Sequence, residues 1–160
     1  MARADSRPAV LAGTLRASRS GCRSATTLER TIMLADSIEY TNVHEANAVL
    51  DDGIARYCAF RGYTHEGAHI GATFVACTFE HIDWYWALFN CAVFVDCRFT
   101  HCTFRGATFA TSRFVSCTFE KCAFLADNLG GSCRNEASRV YDCTAKECSN
   151  GEFLFECGAL

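Results

Sequence analysis

Large apolar residues recur every fifth position from residue 72 to residue 131, through Phe74, Phe79, Trp84, Phe89, Phe94, Phe99, Phe104, Phe109, Phe114, Phe119, Phe124 and Leu129. Two residues ahead of each stands a second series, Ala72, Cys77, Ile82, Ala87, Ala92, Cys97, Cys102, Ala107, Ser112, Cys117, Cys122 and Asp127, of which ten are small. A period of five fits neither regular element. On an α-helix it advances about 140° per step and scatters the rings around the cylinder. On a straight strand every fifth residue changes face. Only a chain that turns a corner once per pentad aims all twelve side chains at one axis, so the pattern predicts a coil with flat five-residue sides.

These units, such as Ala72-Thr73-Phe74-Val75-Ala76 and Cys102-Thr103-Phe104-Arg105-Gly106, resemble the pentapeptide repeat. The resemblance implies an all-β fold, a right-handed quadrilateral β-helix of about four to five coils with 20 residues per coil. Neighbouring coils would lie about 4.8 Å apart, as paired strands do. In that frame Phe74, Phe94 and Phe114 stack on the first face and Phe79, Phe99 and Phe119 on the second. Trp84, Phe104 and Phe124 form the third column, and Phe89, Phe109 and Leu129 the fourth.

Outside the regular core of 72–131 the frame loosens. Two units begin at Cys58 and Tyr63, and a short one, Ala68-His69-Ile70-Gly71, slips the frame by one residue. Downstream, Gly130-Gly131 breaks the coil. A shifted frame then pairs Ser138 with Val140, Cys143 with Ala145, Cys148 with Asn150, Phe153 with Phe155 and Gly158 with Leu160. The expected organisation is therefore a disordered basic tail over 1–32, a cap or lead-in over 33–57 and the β-helix over 58–160.

Charge supports that division. Residues 1–30 carry six arginines against Asp5 and Glu29, a net +4, which leaves −7 for the rest of a chain whose total is −3. A signal peptide is not expected, because Gly13 and Thr14 interrupt the apolar stretch and Arg16 and Arg19 occupy the place of a cleavage site. An Arg-rich segment of this kind also suits an organelle transit peptide or a secreted bacterial effector, and Met33 is an alternative start. No apolar run reaches the roughly 18 residues of a membrane span. The expected setting is cytoplasmic, where thiols stay reduced.

Three candidate chemistries were weighed. His65-Glu66-Gly67-Ala68-His69 matches the H-E-x-x-H of zinc proteases, which requires both imidazoles on one helix face. Gly62, Gly67 and Gly71 punctuate this segment, and the pentad frame turns His65 inward and His69 outward. Cys97, Cys102, Cys117 and Cys122 have a spacing that could approach tetrahedral ligation, yet Cys alternates freely with Ala and Ser here, as a small buried residue does. No phosphate loop or nucleophile set is legible. The reading is a chain without catalytic residues, metal or cofactor.

Surface remains. The residue after each centre points outward, and on the first face these are Val75, Val95 and Val115, with Val93 alongside; Tyr85, Trp86 and Leu88 form a second outward apolar group. Either group is a candidate partner or dimer face, the alternatives being strand propensity for the valines and a covering N-terminal segment for the rest. The first functional reading is a non-enzymatic rod that binds another protein, without direct contact to nucleic acid or membrane. The resemblance implies an alternative, since some pentapeptide-repeat proteins mimic DNA, bind DNA gyrase and protect it from quinolones or inhibit it. Over residues 71–129 five acids face four bases, a net −1, far from phosphate-like charge density. A secreted effector is the third reading.

Overall fold

The computed structural model describes residues 11–14 and 31–155. The remainder of the expected tail and the Gly158/Leu160 pair lie outside the described residues.

Short strands, mostly of three residues, stack into four sheets of seven, four, four and six strands. Each pentad supplies one strand, and the next pentad belongs to the neighbouring sheet, so the chain winds as a four-sided right-handed β-helix. The columns follow the pentad frame. Phe74 lies opposite Phe94 and Phe94 opposite Phe114; Phe79, Phe99 and Phe119 align likewise, as do Trp84, Phe104 and Phe124. The rings stack along each column, with centroids 4.8 Å apart and planes 2° apart for Phe94 and Phe114. They meet edge-on or tilted across the axis, as Phe94 and Phe99 do at 63°. Eleven phenylalanines, Phe60 beneath Phe79 included, and Trp84 thus fill the bore, each no more than 3% exposed.

The corners explain how five residues make one side. From Phe74 to Phe119 the second residue after each centre takes a left-handed backbone, at φ 52° in Ala76, His81, His101 and Ser116 and 53° in Trp86, Asp96 and Lys121. L-residues pay about 1–2 kcal/mol for that conformation, and coil-to-coil backbone hydrogen bonds hold it, for example Asp96 N–H to Val115 O at 3.0 Å. The small series solves a second corner problem. The Sγ–H of Cys97, Cys117, Cys102 and Cys122 donates to the carbonyls of Phe74, Phe94, Phe79 and Phe99 on the preceding coil. Ser112 Oγ accepts from Ala92 N and donates to Ala110 O. Cysteine at these positions is therefore a buried donor as well as a small residue.

Both ends of the bore are closed by helices. Strand β1 (Leu11–Thr14) pairs antiparallel with β2 (Thr31–Asp36), which joins the first sheet next to Ile54–Arg56. Helix α1 (Val43–Asp52) then replaces two sides of the first coil, and its buried Ala46, Val49 and Leu50 plug the opening. Asn42 Oδ1 caps it by accepting from Glu45 N at 3.0 Å. Residues 31–57 thus extend the rod and close its end instead of covering a face. Part of the expected tail, residues 11–14, is a strand.

The sequence frame holds at its slip and fails further on. The slip at Ala68–Gly71 appears as a coil one residue short, with Trp84 opposite His65 and Phe89 opposite Ile70. Leu129, expected as an inward centre, is instead 82% exposed. The chain leaves the coil after Leu125 and re-enters it at Arg134–Glu136, so that Asn135 takes the place opposite Phe109. From there Val140 and Ala145 align with Phe114 and Phe119, as the shifted frame requires. Phe153 and Phe155 do not continue it. They belong to α2 (Glu152–Phe155), whose rings approach Phe109, Phe119 and Phe124 from the C-terminal end.

Candidate interaction surface

The outer side of the first sheet carries the valines in register. Val75 pairs with Val95 and Val95 with Val115, and the next strand adds Tyr141 above Val115. At the other end Tyr57 occupies the corner beside Val75, its N–H donating to Val75 O at 3.0 Å. Tyr57 and Tyr141 are 64% and 45% exposed, and the three valines are half-buried between them. Val93 lies across the ring row from Val95, also half-buried, between Thr73 and Arg113 in its own column. The sequence frame already set Tyr141 one residue beyond the centre Val140, the same place as Val115. Tyr57 sits just ahead of the first legible unit and had no pattern to mark it.

Tyr85, Trp86 and Leu88 form a different surface. Trp86 is 40% and Leu88 37% exposed, but the loop that displaces Leu129 reaches back over this corner. Trp86 Nε1–H donates to Asp127 Oδ2 at 2.7 Å, and Asn128 N–H donates to Tyr85 Oη at 3.3 Å. Asp127 Oδ1 accepts from Leu129 N and Gly131 N. These bonds, that of Trp86 foremost, hold the Asp127 carboxyl below its usual range. Gly106 makes room for the contact: at φ +56 a Cβ there would lie 2.9 Å from Asp127 Cβ and 3.1 Å from Trp86 Cδ1. Asp127 occupies a position of the second series without being small, and its role as the loop's anchor is visible only once the loop is folded.

The H-E-x-x-H segment is not helical. His65 lies on Thr64–Glu66 and His69 on the next side, His69–Ile70. His65 is 7% exposed and stacks on Trp84, and its Nε2 lies 3.2 Å from Asn47 Oδ1 of α1. His69 is exposed and its Nδ1 meets Asp51 Oδ1 one turn along the helix. Both rings border a cleft beside α1, each with its own helix partner. Burial holds the His65 imidazole below its ordinary pKa, so it stays neutral.

The cysteine column is longer than its sequence spacing suggested. Cys58 stands beneath Cys77, Cys97 and Cys117, and Cys143 above them accepts from Cys117 N at 3.4 Å. Thiol neighbours Cys117 and Cys77, and then burial, push Cys97 far up, and burial raises Cys133 and Cys148. The ten described cysteines are free. Among the described residues no three or more His, Cys, Asp or Glu side chains converge as a metal would need, and no helix is long and apolar enough to cross a membrane.

Residues 70–106 and 92–124 match the family model described as pentapeptide repeats, in eight copies. Residues 70–124 of this chain are thus pentapeptide repeats, wound into the four-sided coil. The chain is similar to two solved structures of trypsin-treated variants of QnrB1, a plasmid-mediated fluoroquinolone resistance protein, at 13% and 14% identity and TM-scores of 0.45 and 0.43. Those alignments cover 70% of this chain but only 57% and 55% of the other, so it spans little more than half the length of either structure. No curated protein matches.

Proposed function

We propose that this rod is a non-enzymatic protein-interaction module, that its docking face is the outer side of the first sheet, and that a second copy of the chain is the occupant. The observation that carries this is the in-register run Val75, Val95, Val115 and Tyr141, with Arg56 opposite Val75 at its other end and Tyr57 at the corner beside it. The valine triplet reads the same from either end, and a two-fold axis through Val95 lays valine on valine. An isologous contact requires that self-complementarity. Exposed aromatics flanking flat apolar area also match the makeup of interface centres. The free thiols suit a reducing, cytoplasmic setting.

A duplex-mimic role toward gyrase needs rows of unbalanced negative charge. Here Glu39 and Glu80 lie against Arg61, and Asp83 lies against Arg105. That pairing weighs against the mimic.

The test is sedimentation of wild type and Val95→Lys over a wide concentration range, with melting curves for both. Self-association of wild type, lost in Val95→Lys at unchanged low-concentration melting, is the expected result. A wild type that stays monomeric removes the second copy as occupant. A Val95→Lys protein that still associates moves the site to Tyr85 and Trp86.

A further inference from the structure

Most of the rod's arginines meet a carboxylate on a neighbouring coil. Arg56 pairs with Asp36, Arg61 with Glu39 and Glu80, and Arg105 with Asp83, while Arg98 reaches Glu120 at 4.0 Å. Among the described residues Arg134 makes no such pair, though its charge acts on Asp127; Arg113 and Arg139 break the rule together. They stand directly opposite one another on adjacent strands, both exposed, and among the described residues no carboxylate pairs with either. Like charges in that arrangement are destabilising. The repeat does not demand them, since the same column carries Ile54, Thr73 and Val93 in the earlier coils. Together with Thr111, Ala137 and Tyr141 they wall a cleft of about 390 Å³ at the corner where the fourth side turns into the first.

We propose that this cleft is a phosphate site. Two guanidinium forks supply two positive charges and parallel N–H donors that match the oxygens of a phosphate dianion. The hydroxyls of Thr111 and Tyr141 stand in the same wall. Bound phosphate removes the repulsion that the empty pair carries. Glu136 precedes Ala137 and Asp142 follows Tyr141, so acids flank the pair along the chain in both directions. That layout suits a single phosphate group and opposes an extended nucleic-acid backbone. The cleft shares Tyr141 with the proposed docking face, so Val95→Lys serves to read phosphate binding with that face out of use.

The experiment is isothermal titration of the full chain in phosphate-free, low-salt buffer with inorganic phosphate, and separately with phenyl phosphate as a monoester. One phosphate per chain is expected, weakened about tenfold or more by Arg113→Gln or Arg139→Gln and lost in the double variant, because each removes one charged fork. Phosphate should raise the melting temperature of wild type and of Val95→Lys but not of the double variant. Without phosphate, Arg139→Gln should melt no lower than wild type. Tighter binding of phenyl phosphate assigns the site to a phosphate carried on another molecule, and equal or weaker binding assigns it to the free ion. The proposal fails if wild type shows no saturable binding, or if the double variant binds as wild type does. It fails too if a single-stranded oligonucleotide binds far more tightly with a steep salt dependence.

Discussion

Replacing Phe104 with alanine tests the inward frame where it is most fully enclosed. Phe104 is fully buried, stacks on Phe124 at 4.9 Å and 10°, and meets Phe89, Phe99 and Phe109 within 6.3 Å across the bore. Losing the ring's transfer from water costs about 2–3 kcal/mol. The cavity adds about 1 kcal/mol, because the adjacent Trp84 and Phe124 are fixed by backbone ladders and collapse only partly. The lost ring pairing adds about 0.5–1.5 kcal/mol. The expected destabilisation is about 4–5 kcal/mol, at the upper end for Phe→Ala. The control is Arg105→Ala, one residue on. The sequence places Arg105 outward in water, whereas the structure half-buries it with Nε 3.2 Å from Asp83 Oδ2. Its loss should cost about 1 kcal/mol, the upper end for a solvent-screened pair. Urea titration followed by far-UV circular dichroism measures both, and the difference between the two variants is the quantity that matters. Equal losses would refute the inward assignment of the pentad centres. A Phe104→Ala cost under about 1 kcal/mol would show a bore that repacks freely.

Two further predictions follow from the corners and the N-terminal cap. Thr111 is a β-branched residue held at φ 48°, so Thr111→Asn should raise stability by about 0.5–1 kcal/mol in the same titration; a loss would mean its contact with Cys91 Sγ outweighs the backbone strain. His65 has its pKa lowered by burial, so the unfolded chain binds protons more readily. Stability should be full above the unfolded value of about 6.5 and fall as pH drops from there toward the lower folded value. His65→Phe should flatten melting temperature against pH in that window, and an unchanged slope would place the acid sensitivity elsewhere.

The sequence by itself determined the coil. A five-residue period of large side chains leaves only one way to bury them all, and the columns, the short coil at Ala68–Gly71 and the restart at Val140 follow from counting. The inward His65 was legible for the same reason. Tertiary structure decided what counting does not reach. Leu129 obeys the period and is expelled, because Asp127 gains more by tying the loop to Trp86 and to its own backbone than a lone Leu gains at the end of a column. Val43–Asp52 is helix although strands flank it on both sides in the chain, since an open coil end needs an apolar plug and α1 offers Ala46, Val49 and Leu50. Tyr57 at one end of the valine strip and the unpaired Arg113 and Arg139 also lay hidden. Tyr57 and Val75 are 18 residues apart and Arg113 and Arg139 are 26, and only stacking at one coil spacing, with the short coil and the six-residue insertion counted in, brings each pair together.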